Sequence, residues 1–117
     1  MGRLTTHVLD LISGAPAAGM TIELASVAGS VCLPIVKTTT NHDGRCDRVL
    51  LEGARFTPGV WQLEFDVAGY FKARGVQLAQ PPFLDVVTVR FGVANTEQNY
   101  HIPLLVTPWS YSTYRGS

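Results

Sequence analysis

The sequence predicts an all-β, antiparallel sandwich of seven or eight short strands with one short helix. Three observations predict it. Apolar and polar residues alternate in run after run of six to eleven residues, the pattern of a strand with one buried face. The runs are separated by turn residues, such as Ala28-Gly29-Ser30, Asn41-His42-Asp43-Gly44 and Pro58-Gly59. Only once does the period change from two to three or four, between Asp66 and Arg74. Many short strands at close spacing pack as two sheets face to face.

The elements follow in order. Leu4 to Asp10 is a strand, with Leu4, Thr6 and Val8 on one face and Thr5, His7 and Leu9 on the other. A loop rich in Gly, Ala and Pro covers residues 13–19. Met20 to Val27 is a half-buried strand with Met20, Ile22 and Leu24 inward. Val31 to Thr40 is the next, and Pro34 inside it marks an edge or a bulge, because proline cannot donate to a ladder. Asp43-Gly44 makes a tight turn, since glycine accepts positive φ. Cys46 to Leu51 reads as a short strand and Glu52 to Gly59 as a connection. In Val60 to Val67, residues Trp61, Leu63, Phe65 and Val67 face the core while Gln62, Glu64 and Asp66 face water. Val67, Tyr70, Phe71 and Arg74 share a helical face, Gly69 weakens that helix and Gly75 stops it. After a loop over residues 75–82, Phe83 to Val93 is a strand with Val87, Val89, Phe91 and Val93 inward. Residues 94–99 form a polar turn. Two further β-type runs, parted by Thr107-Pro108, finish the chain.

The 117 residues suit a single domain, residues 1–117, and a hydrophobic content of 46% excludes disorder. Nine basic and nine acidic side chains cancel, which argues against nucleic acid as a partner. No apolar run is long enough for a membrane helix, and MGRLTTHVLD lacks the apolar core of a secretory signal, so the expected location is the cytoplasm. Cys32 and Cys46 are too few for a disulfide framework and are expected as reduced thiols, with pairing left open. No zinc, P-loop or dinucleotide signature is present. No metal and no cofactor are expected.

The stretch of greatest chemical interest is the end, YHIPLLVTPWSYSTYRGS. It crowds hydroxyls, an arginine and aromatics where a free tail is usually small and featureless. Such a terminus is packed against something, either as a last strand that pins the sandwich or as part of a site. His7 lies on a rigid strand, which suits a catalytic group, although a lone strand histidine is commonly structural. Arg45 directly follows a tight turn that would hold its guanidinium in place, or leave it solvated beside a hairpin. His42 falls at the turn tip and receives no role.

Three segments carry a resemblance: Leu4-Thr5-Thr6-His7-Val8-Leu9-Asp10, Thr40-Asn41-His42-Asp43-Gly44-Arg45, and Tyr100-His101-Ile102-Pro103-Leu104-Leu105 through the terminal Tyr114-Arg115-Gly116-Ser117. Together they resemble the transthyretin-like 5-hydroxyisourate hydrolases, nearly end to end, and the terminal tetrapeptide is the specific part. The resemblance implies a transthyretin-like sandwich and a cofactor-free cyclic amidase. Its reaction opens 5-hydroxyisourate, in urate degradation, to 2-oxo-4-hydroxy-4-carboxy-5-ureidoimidazoline. It implies a homotetramer, a dimer of dimers, with sites where two dimers meet. The implied catalytic positions are His7, Arg45, His101 and Ser117, and the implied substrate-binding positions are His7, Arg45 and Tyr114. The family often carries a histidine where Asn99 stands, on the same strand face as His101. The rival expectations are a transthyretin-like small-molecule carrier, which the bulky Tyr114-Arg115 pair opposes, and a plain scaffolding sandwich, which has no need for converging histidines.

Overall fold

The computed structural model describes residues 1–117. Nine strands and one α-helix follow in order: β1 (Arg3–Asp10), β2 (Ala15–Pro16), β3 (Thr21–Ala28), β4 (Val31–Thr39), β5 (Leu51–Glu52), β6 (Gly59–Asp66), α1 (Val67–Ala73), β7 (Val86–Val93), β8 (Tyr100–Val106) and β9 (Tyr111–Thr113). They form two sheets. One runs β2-β1-β8-β9, with β5 also paired to β1; the other runs β4-β3-β6-β7. The inward rows of both sheets meet in one core. Leu4, Val8, Met20, Ile22, Leu24, Leu63, Phe65, Leu104 and Val106 are each essentially inaccessible, and their burial is the main drive for folding.

The sandwich and most inward rows agree with the sequence pattern, and the differences have physical causes. One central pairing, β1 with β8, is parallel rather than antiparallel; a parallel neighbour comes from far along the chain, and alternation is blind to strand direction. Residues 46–50 do not form a strand, and only Leu51–Glu52 pair, opposite Arg3 and Leu4. The strand expected from Phe83 begins at Val86. Gln62 faces outward yet is only 7% exposed, because Arg90 lies over it and donates Nε–H to its Oε1 at 3.0 Å. Strand β4 is an edge, and its register against β3 shifts where Leu24 opposes Val36 and Ala25 opposes Pro34, the bulge that the proline signals.

Asp66 caps α1 by accepting from Gly69 N–H at 3.0 Å. A side chain on Gly69 would run into that carboxylate, which accounts for a weak helix former at this position. Gly75, at φ +83, ends the helix, and Val76 N–H reaches back to the Phe71 carbonyl at 3.0 Å.

One buried polar knot ties α1 to the sheet that carries the site. Asp10 accepts from Tyr70 Oη at 2.8 Å and from the Ile12 and Ser13 amides at 2.8 and 3.1 Å. Burial works to raise the Asp10 pKa, but these hydrogen bonds outweigh it and hold the carboxyl below its ordinary value; burial, with the Asp10 carboxylate beside it, pushes the Tyr70 phenol up to about 12. Asp10→Ala is therefore expected to cost about 2–4 kcal/mol in urea unfolding, through three lost hydrogen bonds and a stranded Tyr70 hydroxyl. The depressed native pKa adds stability above the unfolded carboxyl value, and that part is lost as pH falls through the native one. Urea titrations at several pH values should show the acid-side decline flatten in Asp10→Asn.

Candidate active site

The outer face of the β2-β1-β8-β9 sheet brings together residues from both ends of the chain. Parallel register sets Thr5 beside His101 and His7 beside Pro103. Register neighbours share a sheet face, so Thr5, His7 and His101 all project outward. The two imidazole centroids lie 6.4 Å apart, with ring planes tilted by 37°. Thr5 Oγ1 stands 2.8 Å from His101 Nδ1.

Arg45 joins them through the turn before it. Asn41 is the knot of that turn: its Oδ1 accepts from the Asp43 and Arg45 amides at 2.9 and 3.2 Å, and its Nδ2 donates to Asp47 at 3.0 Å. The turn docks on β1 by the Val8 N–H to Gly44 carbonyl bond of 2.8 Å, which makes His7 and Arg45 bridge partners. Gly44 has φ +73, and a side chain there would collide with the Val8 carbonyl. Thr5, Thr6, Arg45 and Arg48 line a cavity of about 180 Å³ beside this turn.

The tail reaches the same face. After β9, Gly116 exchanges two backbone hydrogen bonds with His101, at 2.7 and 3.2 Å. A Cβ on Gly116 would stand 3.2 Å from the His101 Cβ, Cδ2 and carbonyl oxygen. Only glycine lets the tail come this close without moving the imidazole. Arg115 fastens the segment: its guanidinium sits 4.3 Å above the Tyr100 ring and donates to Gln98 Oε1 and to the Asn99 carbonyl at 3.0 and 3.1 Å. Ser117 lines a polar cavity of about 280 Å³ with Met1, Arg3, Thr5 and Asn99. Tyr114 lies elsewhere. It is 62% exposed and borders a cavity formed with Val89, Phe91, Tyr100 and Ile102, so a single chain does not bring it to the histidines. Gly116→Ala should lower turnover by about tenfold through a shift of a few tenths of an ångström in His101, with unchanged thermal unfolding; steady-state rates beside a melting curve check it.

Electrostatics on this face favour neutral imidazoles. Burial first, then the Arg45 charge, lowers the His7 pKa, and Asp43 pulls weakly the other way. Burial, Arg45 and His7 together lower that of His101. Both rings are thus free bases near pH 7, able to accept a proton. Cys46, by contrast, has its pKa raised by burial and by Asp47, so its thiol is no ready nucleophile. Cys32 and Cys46 are both free thiols, not joined in a disulfide.

Of the residues singled out in the sequence, His7, Arg45, His101 and Ser117 border one connected face, with Thr5 lining both the Arg45 and the Ser117 cavities. Asn99 turns its Oδ1 to the Arg3 amide at 3.1 Å, and His42 is exposed. Sequence reading passed over Thr5, Asn41 and the clamp role of Arg115. Asn41, two residues before Asp43-Gly44, carries an Asx-turn signal; Thr5 carries none beyond sharing a strand face with His7.

The fold is a transthyretin-like β-sandwich, and its open outer face groups two imidazoles, a guanidinium and the Ser117 tail, a set able to move protons and to hold an anionic oxygen. The chain belongs to the HIUase/Transthyretin family, whose family model matches residues 4–116. It is 57% identical over 117 residues to the 5-hydroxyisourate hydrolase of Pseudomonas aeruginosa, covering 100% of this chain and 93% of that one. It is 42% identical over 116 residues to the mouse 5-hydroxyisourate hydrolase, covering 97% and 94%. Among solved structures, (S)-allantoin synthase superposes with a TM-score of 0.94 at 42% identity, covering 99% of this chain, which spans 44% of that longer one. Sea bream transthyretin in complex with thyroxine superposes with a TM-score of 0.87 at 27% identity, covering 97% and 94%.

Proposed function

We propose that this protein hydrolyses 5-hydroxyisourate, opening its cyclic amide to 2-oxo-4-hydroxy-4-carboxy-5-ureidoimidazoline in urate degradation. The observation that carries this reading is the convergence of His7, His101 and Arg45 on one sheet face in a chain of this family. Amide hydrolysis needs a base for water, charge stabilisation at the carbonyl oxygen, and a proton for the leaving nitrogen. His7, held neutral beside Arg45, takes the proton from water. His101 assists by taking up that proton and delivering it to the departing nitrogen, so that both imidazoles end neutral. The Arg45 guanidinium binds the substrate oxygens and offsets the developing oxyanion. Ser117 contributes its hydroxyl beside Thr5, and no cofactor takes part.

The working unit in this reading is a homotetramer, a dimer of dimers. Its support is geometric: the histidine face of one chain is open, and Tyr114 lies away from it. A second copy laid on this face would enclose the substrate and supply Tyr114 to bind it. No helix is long and apolar enough to cross a membrane; a cytoplasmic setting is in keeping with the two free thiols. The test follows freshly generated 5-hydroxyisourate by ultraviolet absorbance, with sedimentation of the same sample. The expected result is accelerated decay by a tetrameric species; decay no faster than in buffer at micromolar protein would overturn the assignment.

A further inference from the structure

We propose that Thr5 is a positioning residue: its hydroxyl accepts a hydrogen bond from Nδ1–H of His101 and so keeps the Nε2 lone pair free to receive the proton that His101 relays. This deepens the hydrolase reading and rests on it. Thr5 Oγ1 makes one hydrogen bond, to His101 Nδ1 at 2.8 Å, while His101 Nε2 has no partner in the protein. The contact is built rigidly. Thr5 and His101 are register neighbours in the β1–β8 pair, and the His101 backbone is pinned from the other side by Gly116. Gly116 runs so close to the same side chain that an added Cβ would stand 3.2 Å from the His101 Cβ and Cδ2, so the imidazole lies between the tail and the Thr5 hydroxyl.

Which ring nitrogen bears the proton is set by the bond that the other nitrogen makes. A hydroxyl can donate to or accept from a neutral imidazole, so the surroundings decide. Arg45 and His7 are the charged and titratable groups that act on this ring, and both disfavour additional positive charge there. In the tautomer we assign, the Thr5 oxygen takes the Nδ1 proton in its 2.8 Å hydrogen bond, and the open Nε2 is the basic atom. Thr5 also lines both the Arg45 cavity and the Ser117 cavity, which places the tautomer-setting contact at the junction of the two.

The test uses the full chain with ¹⁵N-labelled histidine. A long-range proton–nitrogen correlation spectrum, assigned with His101→Asn, reads which nitrogen is protonated, and steady-state kinetics are measured on Thr5→Val and Thr5→Ser. The expected wild-type spectrum shows a proton-bearing Nδ1 and a bare Nε2 on His101. Thr5→Val, nearly isosteric and suited to a strand, should raise the Nε2–H population and lower kcat by about five- to thirtyfold with KM within about twofold. Thr5→Ser should keep the wild-type spectrum and turnover within about threefold. A bare Nδ1 in the wild type, or a Thr5→Val protein with unchanged spectrum and kcat, would overturn the proposal. A wild-type protein without turnover that still shows Nδ1–H would remove the hydrolase reading alone, and the spectrum would uphold the Thr5 contact.

Discussion

Replacing either His7 or His101 with asparagine should lower kcat/KM for 5-hydroxyisourate by about two to four orders of magnitude, the range for loss of a general base. Asparagine keeps a polar group of similar reach and removes the ability to titrate. Neither ring belongs to the hydrophobic core; both lie partly exposed on the outer sheet face. Stability should accordingly change by less than about 1 kcal/mol, which a urea titration verifies. A large fall in rate with an unchanged unfolding midpoint isolates chemistry from folding. Rates within threefold of wild type for both variants would show that these imidazoles are ordinary surface groups.

Arg45→Leu is expected to have the next largest effect, a loss of about two to three orders of magnitude in kcat, as for a removed oxyanion donor. It should also leave a signature in the pH profile. The Arg45 charge lowers the pKa of both His7 and His101. An imidazole base works only when unprotonated, so activity falls as pH drops through its pKa. In the wild type that limb lies below the ordinary histidine value. Removing the guanidinium raises both pKa values, so the acid limb should move to higher pH, while burial keeps it from a full return. A fall in rate with an unmoved limb would mean that Arg45 binds substrate without tuning the bases.

The fold was legible because burial writes itself into alternation. The inward residues of β3 and β6 were identifiable from period alone, and all are buried, whereas in β1 the period separated two faces without telling which is inward. The Pro34 irregularity in β4 and the Gly75 stop of α1 were legible for equally local reasons. Strand direction was not: nothing in Leu4 to Asp10 announces that its partner, ninety-six residues on, runs parallel to it. Gln62 was misjudged because the residue that covers it, Arg90, sits on a neighbouring strand. The same division holds for the site. His7, Arg45 and His101 stand out as residue types, and the three matching segments point to them. The placements that make them a unit are long-range: the docking of the Asn41 turn on β1, the Gly116 contact with His101, and the Thr5 hydroxyl on Nδ1. Tyr114 was expected at the site from the resemblance alone, and in a single chain its neighbours are instead Tyr100, Ile102 and residues of β7.

The central claim is that the two imidazoles act as one catalytic unit. A double-mutant cycle with His7→Asn, His101→Asn and the combined variant, read as kcat/KM for 5-hydroxyisourate, tests it most directly. The account predicts strong coupling, with the double variant no slower than about threefold below the slower single one. Losses that simply multiply would contradict it, because two groups that act independently cannot be the paired machinery of one hydrolytic step.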